Sequence, residues 1–278
     1  MAAQLTPPDM TDVQRREVAR AEDAAAGRRG RRAKVVHYLG MPIFLTIVLI
    51  GLYLWVGGQE LDSIETRTLT AENLLQQTIQ HLRLTIFSTI AVLLLAVPLG
   101  IVATRPRLRR FTPFIIGLGN AGQAIPSLGM LALLFYLFRT SESLPSTGTF
   151  PVVVALTAYS FLPILRNTMV GLDQVDRFVL EAGKGMGMSD RLVLRRIELP
   201  LAVPVILAGV RTALVLNVGT AALAFLFGAG GLGETIFSGF QLQRTPVLLT
   251  GAVLVAVLAL LVDYLAGIVE EQLTPKGL

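Results

Sequence analysis

The sequence predicts an all-α membrane protein with about six transmembrane helices. Of its 278 residues, 53% are hydrophobic and only 15% are charged, whereas soluble domains carry about 25% charged residues. Most charged residues lie between long apolar segments rather than within them. A helix needs about 20 apolar residues to cross the hydrocarbon core, because its backbone must be hydrogen-bonded within the segment. Lipid is therefore the expected surrounding of most of this chain.

Six segments approach that length. They are 35–56, 84–104, 111–138, 144–165, 199–227 and 245–269. The first three carry no formal charge if His37 is neutral, the fifth is interrupted only by Arg211, and Asp263 lies toward the end of the sixth. An even number of spans places both termini on the same side of the membrane.

The basic residues indicate which side that is. With the N-terminus in the cytoplasm, nineteen Lys and Arg residues lie inside, whereas four, namely Arg67, Arg83, Arg139 and Arg244, lie outside. Cytoplasmic flanks of membrane helices accumulate Lys and Arg. Both termini are therefore predicted to be cytoplasmic.

The chain divides accordingly into five regions. A basic cytoplasmic tail, expected to be disordered, precedes a first transmembrane helix, an external segment, a helical core and a short cytoplasmic C-terminal tail. These regions are 1–34, 35–56, 57–80, 81–270 and 271–278. The external segment is too short to form a ligand-binding domain.

Composition and motifs argue against catalysis and against a cofactor in this chain. There is no cysteine and there are only two histidines, so neither a zinc site nor another metal centre is predicted. Residues 117–122 and 228–233 match G-x-G-x-x-G but lack the strand and acidic residue of a dinucleotide site. The first is expected to allow close helix packing, and the second to form a tight or re-entrant turn.

The segment 167–200 is the most informative loop. Apolar residues recur at helical spacing between charged ones, which predicts an amphipathic helix; they are Val175, Phe178, Val179, Ala182 and Met186. Glycines at 183, 185 and 187 then weaken the helix. Ser189 and Asp190 predict the start of a second helix that ends at Pro200.

This loop resembles a known family. Glu181-Ala182-Gly183, followed by Gly187 and by Ile197-Glu198-Leu199-Pro200, is similar to the E-A-A, G, I-x-L-P pattern of permease subunits of binding-protein-dependent ATP-binding-cassette (ABC) importers. The one departure is Gly183, where alanine is usual. Further segments between about 75 and 269 resemble the osmoprotectant branch, which transports glycine betaine, choline and carnitine. These segments are 123–128, 162–168, 207–213 and 228–233.

The resemblance implies a type I ABC importer permease fold in a bacterial plasma membrane. The permease core, 81–270, would contain a coupling loop, 167–200, that docks on a separate ATPase. The residues expected to make this contact are Glu181, Ala182, Gly183, Met186, Gly187 and Met188. Implied partners are two ABC ATPase subunits, which use ATP and Mg²⁺, a second permease copy or paralogue, and an external or periplasmic solute-binding protein. No nucleic acid is expected.

Polar residues within the apolar segments are candidates for a translocation path or gate, because such residues are costly in lipid. They are Asn120, Gln123, Ser127, Arg211 and Asn217. Pro126 is a further candidate, because a proline kinks its span and can help to form a gate. Hydrogen bonding between helices is an equally good interpretation of the polar ones. A contact between Arg211 and Asp263 is a further hypothesis. Alternatives for the chain as a whole are a permease for amino acids or another small solute, and a secondary transporter.

Overall fold

The computed structural model describes residues 38–106, 108–140 and 144–274, and in these ranges every regular element is helical. The predicted disordered tail, 1–34, lies outside the described residues. The helices are α1 (Tyr38–Gly57), α2 (Ser63–Thr68), α3 (Ala71–Thr104), α4 (Thr112–Ala124), α5 (Ser127–Arg139), α6 (Thr149–Asp173), α7 (Arg177–Gly185), α8 (Asp190–Val193), α9 (Leu199–Ala221), α10 (Gly233–Gln241) and α11 (Thr245–Leu273).

Within the described ranges, five helical stretches are long and apolar enough to cross a membrane. They are α1, α3, α6, the continuous stretch Asp190–Ala221, and α11. A sixth exists if α4 and α5 count as one broken span. The all-α fold predicted from the sequence is confirmed.

The third predicted span, 111–138, is not one continuous helix. The helices on either side of Ile125 and Pro126 meet at an angle of 102°. Pro126 disfavours helical geometry in the residue before it, and Ile125 is accordingly extended, with φ −75° and ψ 127°. The bend lies at Pro126, as expected of a proline within a span.

The second membrane helix begins earlier than the apolar run suggested. α3 starts at Ala71, where Thr70 accepts a hydrogen bond from the amide of Asn73, whereas the apolar segment starts at Leu84. The additional turns contain Gln77 and His81, and both side chains are buried. Burial against other helices therefore extends α3 through residues that a hydropathy profile places in an aqueous loop.

Glycines bring α3, α6 and α9 into close contact. A Cβ atom at Gly100 would lie 2.7 Å from Thr168 Cγ2, and one at Gly209 would lie 2.6 Å from Asn167 Cβ. Both neighbours belong to α6. Small residues at such positions let membrane helices approach closely, so these three helices form the packed centre of the described fold.

Both glycine-rich motifs have the structural roles expected of them. In the first, a Cβ at Gly122 would lie 2.6 Å from the Ala158 carbonyl oxygen of α6, although Gly117 faces open space. In the second, Gly228, Gly230 and Gly231 have φ values of 76°, 73° and 104°, which residues other than glycine rarely adopt. This tight turn leads into α10.

Candidate functional site

α7 is a short helix with a defined cap at each end. Asp176 accepts a hydrogen bond from the amide of Phe178 at 2.8 Å. At the other end, the amides of Gly187 and Met188 donate to the carbonyls of Lys184 and Gly183, at 2.9 and 3.1 Å. This pair of bonds is a Schellman motif, which needs a left-handed residue after the helix. Gly187 has φ 85°, so it alone ends the helix, whereas Gly183 and Gly185 lie inside it.

The apolar side of α7 is uncovered by the described part of the chain. Phe178 is 81% exposed and Met186 is 72% exposed. Val179 and Ala182 are exposed as well, and only Val175, just before the helix, is buried. Scattered exposed apolar residues are common, but a contiguous apolar stripe on one helix marks an interaction site.

Gly183 lies next to this stripe on the helix surface but is buried. A Cβ atom added there would lie 2.6 Å from Ile197 Cδ1. Glu181 is exposed. Lys184 and Asp190 form an ion pair at 2.9 Å across the bend; because both are exposed, it adds little stability. The bend is held mainly by the Gly183–Ile197 contact and by the Gly187 turn.

The second helix of the loop does not stop at Pro200, contrary to the prediction. α8 continues through a π-helical turn, Leu194–Glu198, into α9. Pro200 lies in the first turn of α9, where proline is tolerated. In the π-helical turn before it, the amide of Leu199 donates to the carbonyl of Leu194. Ser189 stands before α8, but its side chain makes no capping hydrogen bond.

The π-helical turn directs Glu198 into an ion pair that sequence reasoning missed. Arg105, which follows α3, donates from Nη1 to Glu198 Oε1 at 3.1 Å and from Nη2 to Oε2. Glu198 is 7% exposed. Hydrogen bonding to its carboxylate raises the pKa of Arg105, against the smaller opposing effect of burial. The signal in the sequence was an acidic residue at the free position of the I-x-L-P pattern.

The residues predicted for a translocation path fall into two sets. Asn120, Gln123, Pro126 and Ser127 surround the α4–α5 break, where Arg166 of α6 donates to Asn120 Oδ1 at 3.1 Å. Asn217 and Arg211 lie on α9. Asn217 is fully buried and donates to Thr89 of α3 at 3.2 Å. Its Oδ1 has no hydrogen-bond partner among the described residues.

The predicted contact between Arg211 and Asp263 is confirmed. Arg211 donates from Nε to Asp263 Oδ1 and from Nη2 to Oδ2, the latter at 2.7 Å. A Cβ atom at Gly267 would lie 3.4 Å from Arg211 Nη1, so the guanidinium rests against α11 over this glycine. Glu270 lies 3.8 Å away on the same helix. Two membrane helices are thus joined by a charged cluster.

A buried polar layer on α3 was also missed. His81 donates from Nε2 to the Val218 carbonyl at 2.8 Å, and Gln80 Oε1 accepts from the amide of Gly231 at 3.0 Å. Thr235 of α10 donates to Gln77 Oε1. These bonds attach α9, the glycine turn and α10 to α3. Their positions, one helical turn apart in a polar stretch, were the only signal in the sequence.

The fold and these contacts define a multi-pass helical membrane protein, and comparison with known proteins gives its family. Residues 96–275 match the family described as "Binding-protein-dependent transport system inner membrane component". The chain belongs to this family of ABC importer permeases.

Named relatives cover most of the chain. The choline transport system permease protein OpuBB of Bacillus subtilis is 42% identical over 74% of this chain and 90% of its own length. The carnitine transport permease protein OpuCB of Listeria monocytogenes is 41% identical, with the same shares covered. The osmoprotectant import permease protein OsmY of Salmonella typhimurium is 38% identical over 84% of this chain and 94% of its own length.

Solved structures support the fold. An inward-facing structure of the methionine ABC transporter MetNI has a TM-score of 0.63 at 25% identity, covering 73% of this chain and 96% of that chain. An amino acid ABC transporter has a TM-score of 0.60 at 17% identity. The fold of this chain is therefore that of type I ABC importer permeases.

Proposed function

We propose that this chain imports quaternary ammonium osmoprotectants, such as glycine betaine, choline and carnitine, as the permease subunit of an ATP-driven importer. The observation that carries the substrate class is the set of relatives at 38–42% identity that are named for choline, carnitine and osmoprotectant transport. The similarity covers most of the chain, including the loop between α6 and α9.

The contact with the ATPase is assigned to α7 and the bend after it. The exposed stripe of Phe178 and Met186 supports this assignment, because α7 presents apolar area that the described part of its own chain leaves uncovered. Glu181, which is exposed beside the stripe, would face a basic residue of the ATPase. Gly183 and Gly187 set the angle of the bend, and Ala182 and Met188 belong to the same surface. ATP and Mg²⁺ act in the ATPase, and this chain supplies no catalytic residue.

The assembly contains two ATPases, two permease copies or paralogues, and an external or periplasmic solute-binding protein. Closure of the ATPases would move the two α7 segments together and open the path toward the loaded binding protein. The broken α4–α5 span supports a gate at Pro126, since irregular backbone at membrane depth is tolerated where it lines a cavity. Asn120, Gln123, Ser127, Arg211 and Asn217 would lie along or beside that path.

Transport assays test the substrate class. The permease, its ATPase and its binding protein are reconstituted in liposomes, and ATP-dependent uptake of labelled choline, glycine betaine and carnitine is compared with uptake of methionine. We expect uptake of at least one quaternary ammonium solute and none without ATP. Uptake of methionine alone would favour an amino acid permease instead, as the likeness to the methionine transporter suggests. Uptake that survives ATP depletion would indicate a secondary transporter.

Orientation is tested separately. The chain contains no cysteine, so any introduced thiol is unique. With both termini in the cytoplasm of a bacterial cell, Met186→Cys should react with a membrane-impermeant maleimide only after the membrane is opened. Glu60→Cys should react in intact spheroplasts. The reverse labelling pattern would contradict the orientation that the basic residues predict.

A further inference from the structure

The Arg105–Glu198 ion pair joins two parts of the chain that are far apart in sequence. Arg105 immediately follows α3, and Glu198 is the last residue of the π-helical turn that leads into α9. The neighbouring residue Ile197 contacts Gly183 of α7. Two consecutive residues of the turn therefore face different partners, since Ile197 contacts α7 at Gly183 and Glu198 binds Arg105 at the end of α3.

The geometry of the pair is stiff. Nη1 and Nη2 of Arg105 each donate to a different carboxylate oxygen of Glu198, and such two-pronged contacts fix orientation as well as distance. Glu198 is almost fully buried, whereas Arg195 and Arg196 of the same turn are exposed. Removing one member of a buried pair leaves an uncompensated charge, so the contact resists separation.

The π-helical turn explains why Glu198 points inward. The amide of Leu199 bonds to the carbonyl of Leu194, five residues back. Each residue added to a helix rotates the following side chains by about 100°. A regular α-helix at this point would turn Glu198 away from Arg105, so the unusual turn and the ion pair depend on each other. π-Helical turns occur frequently at functional sites.

α3 is also fixed to the packed centre near this end. Gly100, five residues before Arg105, lies directly against Thr168 of α6. A displacement applied at Glu198 therefore reaches α3 at a point where α3 is fixed to its neighbours. Besides the ion pair, the loop is connected to the membrane helices through the backbone of α9, through the chain after α6 and through the packing of Leu194 on the cluster of Leu172, Ala202 and Ile206.

We propose that the Arg105–Glu198 ion pair transmits displacement of the α7 bend to α3, so that α3 and α9 move together during transport. Arg105 and Glu198 are positioning residues for import. The proposal rests on the proposed function, because it assumes that an ATPase moves α7. It adds a charged connection from the π-helical turn directly to the end of α3.

The test measures ATP hydrolysed per solute accumulated by the full complex in liposomes. Glu198→Gln keeps the shape of the side chain but removes its charge, and Arg105→Lys keeps the charge but removes the fork. If α3 receives its movement through this pair, the ratio of ATP hydrolysed to solute accumulated should be at least about fivefold higher in both variants than in wild type. A factor of this size is typical of a lost coupling between sites. The exchanged double variant, Arg105→Glu with Glu198→Arg, should then lower that ratio below that of either single variant.

Asp62→Asn is the matched control, since it breaks another Arg–carboxylate pair, with Arg244, that does not touch the loop. It should leave the ratio unchanged. An unaltered ratio in Arg105→Lys or in assembled Glu198→Gln overturns the proposal, as does a double variant no better coupled than the single variants. If Glu198→Gln fails to assemble, Arg105→Lys decides alone.

The result is distinguishable from failure of the proposed function. The ratio is measured with whichever solute the wild type accumulates, so a wrong substrate class leaves the test intact. A wild type without any ATP-dependent uptake contradicts both proposals together. A coupled wild type with coupled variants contradicts only the role of the ion pair.

Discussion

Gly183 of α7 and Ile197 of the π-helical turn lie so close that a single added methyl group at position 183 would meet Ile197 Cδ1 at 2.6 Å. This contact sets the distance between the two helices of the loop. The family pattern usually has alanine at this position, so the glycine allows a tighter bend here than the pattern implies.

The first prediction compares Gly183→Ala with Gly185→Ala. Both positions lie inside α7, and nothing lies within 4 Å of a Cβ at Gly185. Alanine in place of glycine in a helix contributes about 0.5–1 kcal/mol, so Gly185→Ala should raise the thermal midpoint in detergent. In Gly183→Ala that gain should be cancelled, because moving Ile197 off its rotamer costs about 0.5–1.5 kcal/mol. Equal stabilisation by both changes would contradict the close contact.

The second prediction concerns Gly187. Its φ of 85° is left-handed, which costs a residue with a Cβ about 1–2 kcal/mol. Gly187→Ala should therefore lower the thermal midpoint and weaken copurification of the ATPase, because the Schellman turn would open. Gly187→Asn should retain more of both properties, since asparagine tolerates this conformation better. If Gly187→Ala behaved like Gly185→Ala, the turn would not depend on glycine.

The third prediction concerns the cluster on α9 and α11. Neutralising Arg211 leaves Asp263 and Glu270 without their cation, and neutralising Asp263 leaves Arg211 with only the more distant Glu270. A double-mutant cycle with Arg211→Gln and Asp263→Asn should show a coupling energy of about 0.5–3 kcal/mol in the free energy of unfolding. Additive effects would mean that the pair contributes nothing as a pair.

The fourth prediction is a pH dependence at the start of α2. The amide of Glu65 and the guanidinium of Arg244 lower the pKa of Asp62 below 3.8. A lowered folded-state pKa gives a contribution that is present above the unfolded value and is lost as the pH falls through the folded one. The difference in thermal unfolding midpoint between wild type and Asp62→Asn should thus be present at about pH 6 and be smaller at about pH 3. A difference independent of pH would show that the charge of Asp62 plays no part.

The sequence predicted the helical class, the membrane segments and the bend in the loop, because apolar runs, glycines and proline act locally. Prediction from the sequence failed where tertiary contacts determine the local structure. Pro200 indicated a helix end, yet a π-helical turn carries the helix past it. Gln77 falls in the predicted external segment, 57–80, yet it is buried with His81 in a polar layer of α3.

The candidate site was predicted only in part. The spacing of Glu181, Gly183 and Gly187 located the α7 bend, but hydropathy could not show that its apolar stripe is exposed. Arg105 and Glu198 are 93 residues apart, and the acidic residue at position 198 does not by itself indicate which residue it pairs with. The Arg211–Asp263 contact was predictable because isolated charges in neighbouring spans have few other partners.

Site-directed crosslinking tests most directly whether α7 is the surface that the ATPase grips. Three variants, Phe178→Cys, Met186→Cys and Tyr136→Cys, are each labelled with a thiol-reactive photocrosslinker in a permease coexpressed with its ATPase. Tyr136 is an exposed position of α5. We predict that the first two capture the ATPase and that Tyr136→Cys does not. Capture of the ATPase from position 136 with none from 178 or 186, in complexes that still transport, would contradict the account.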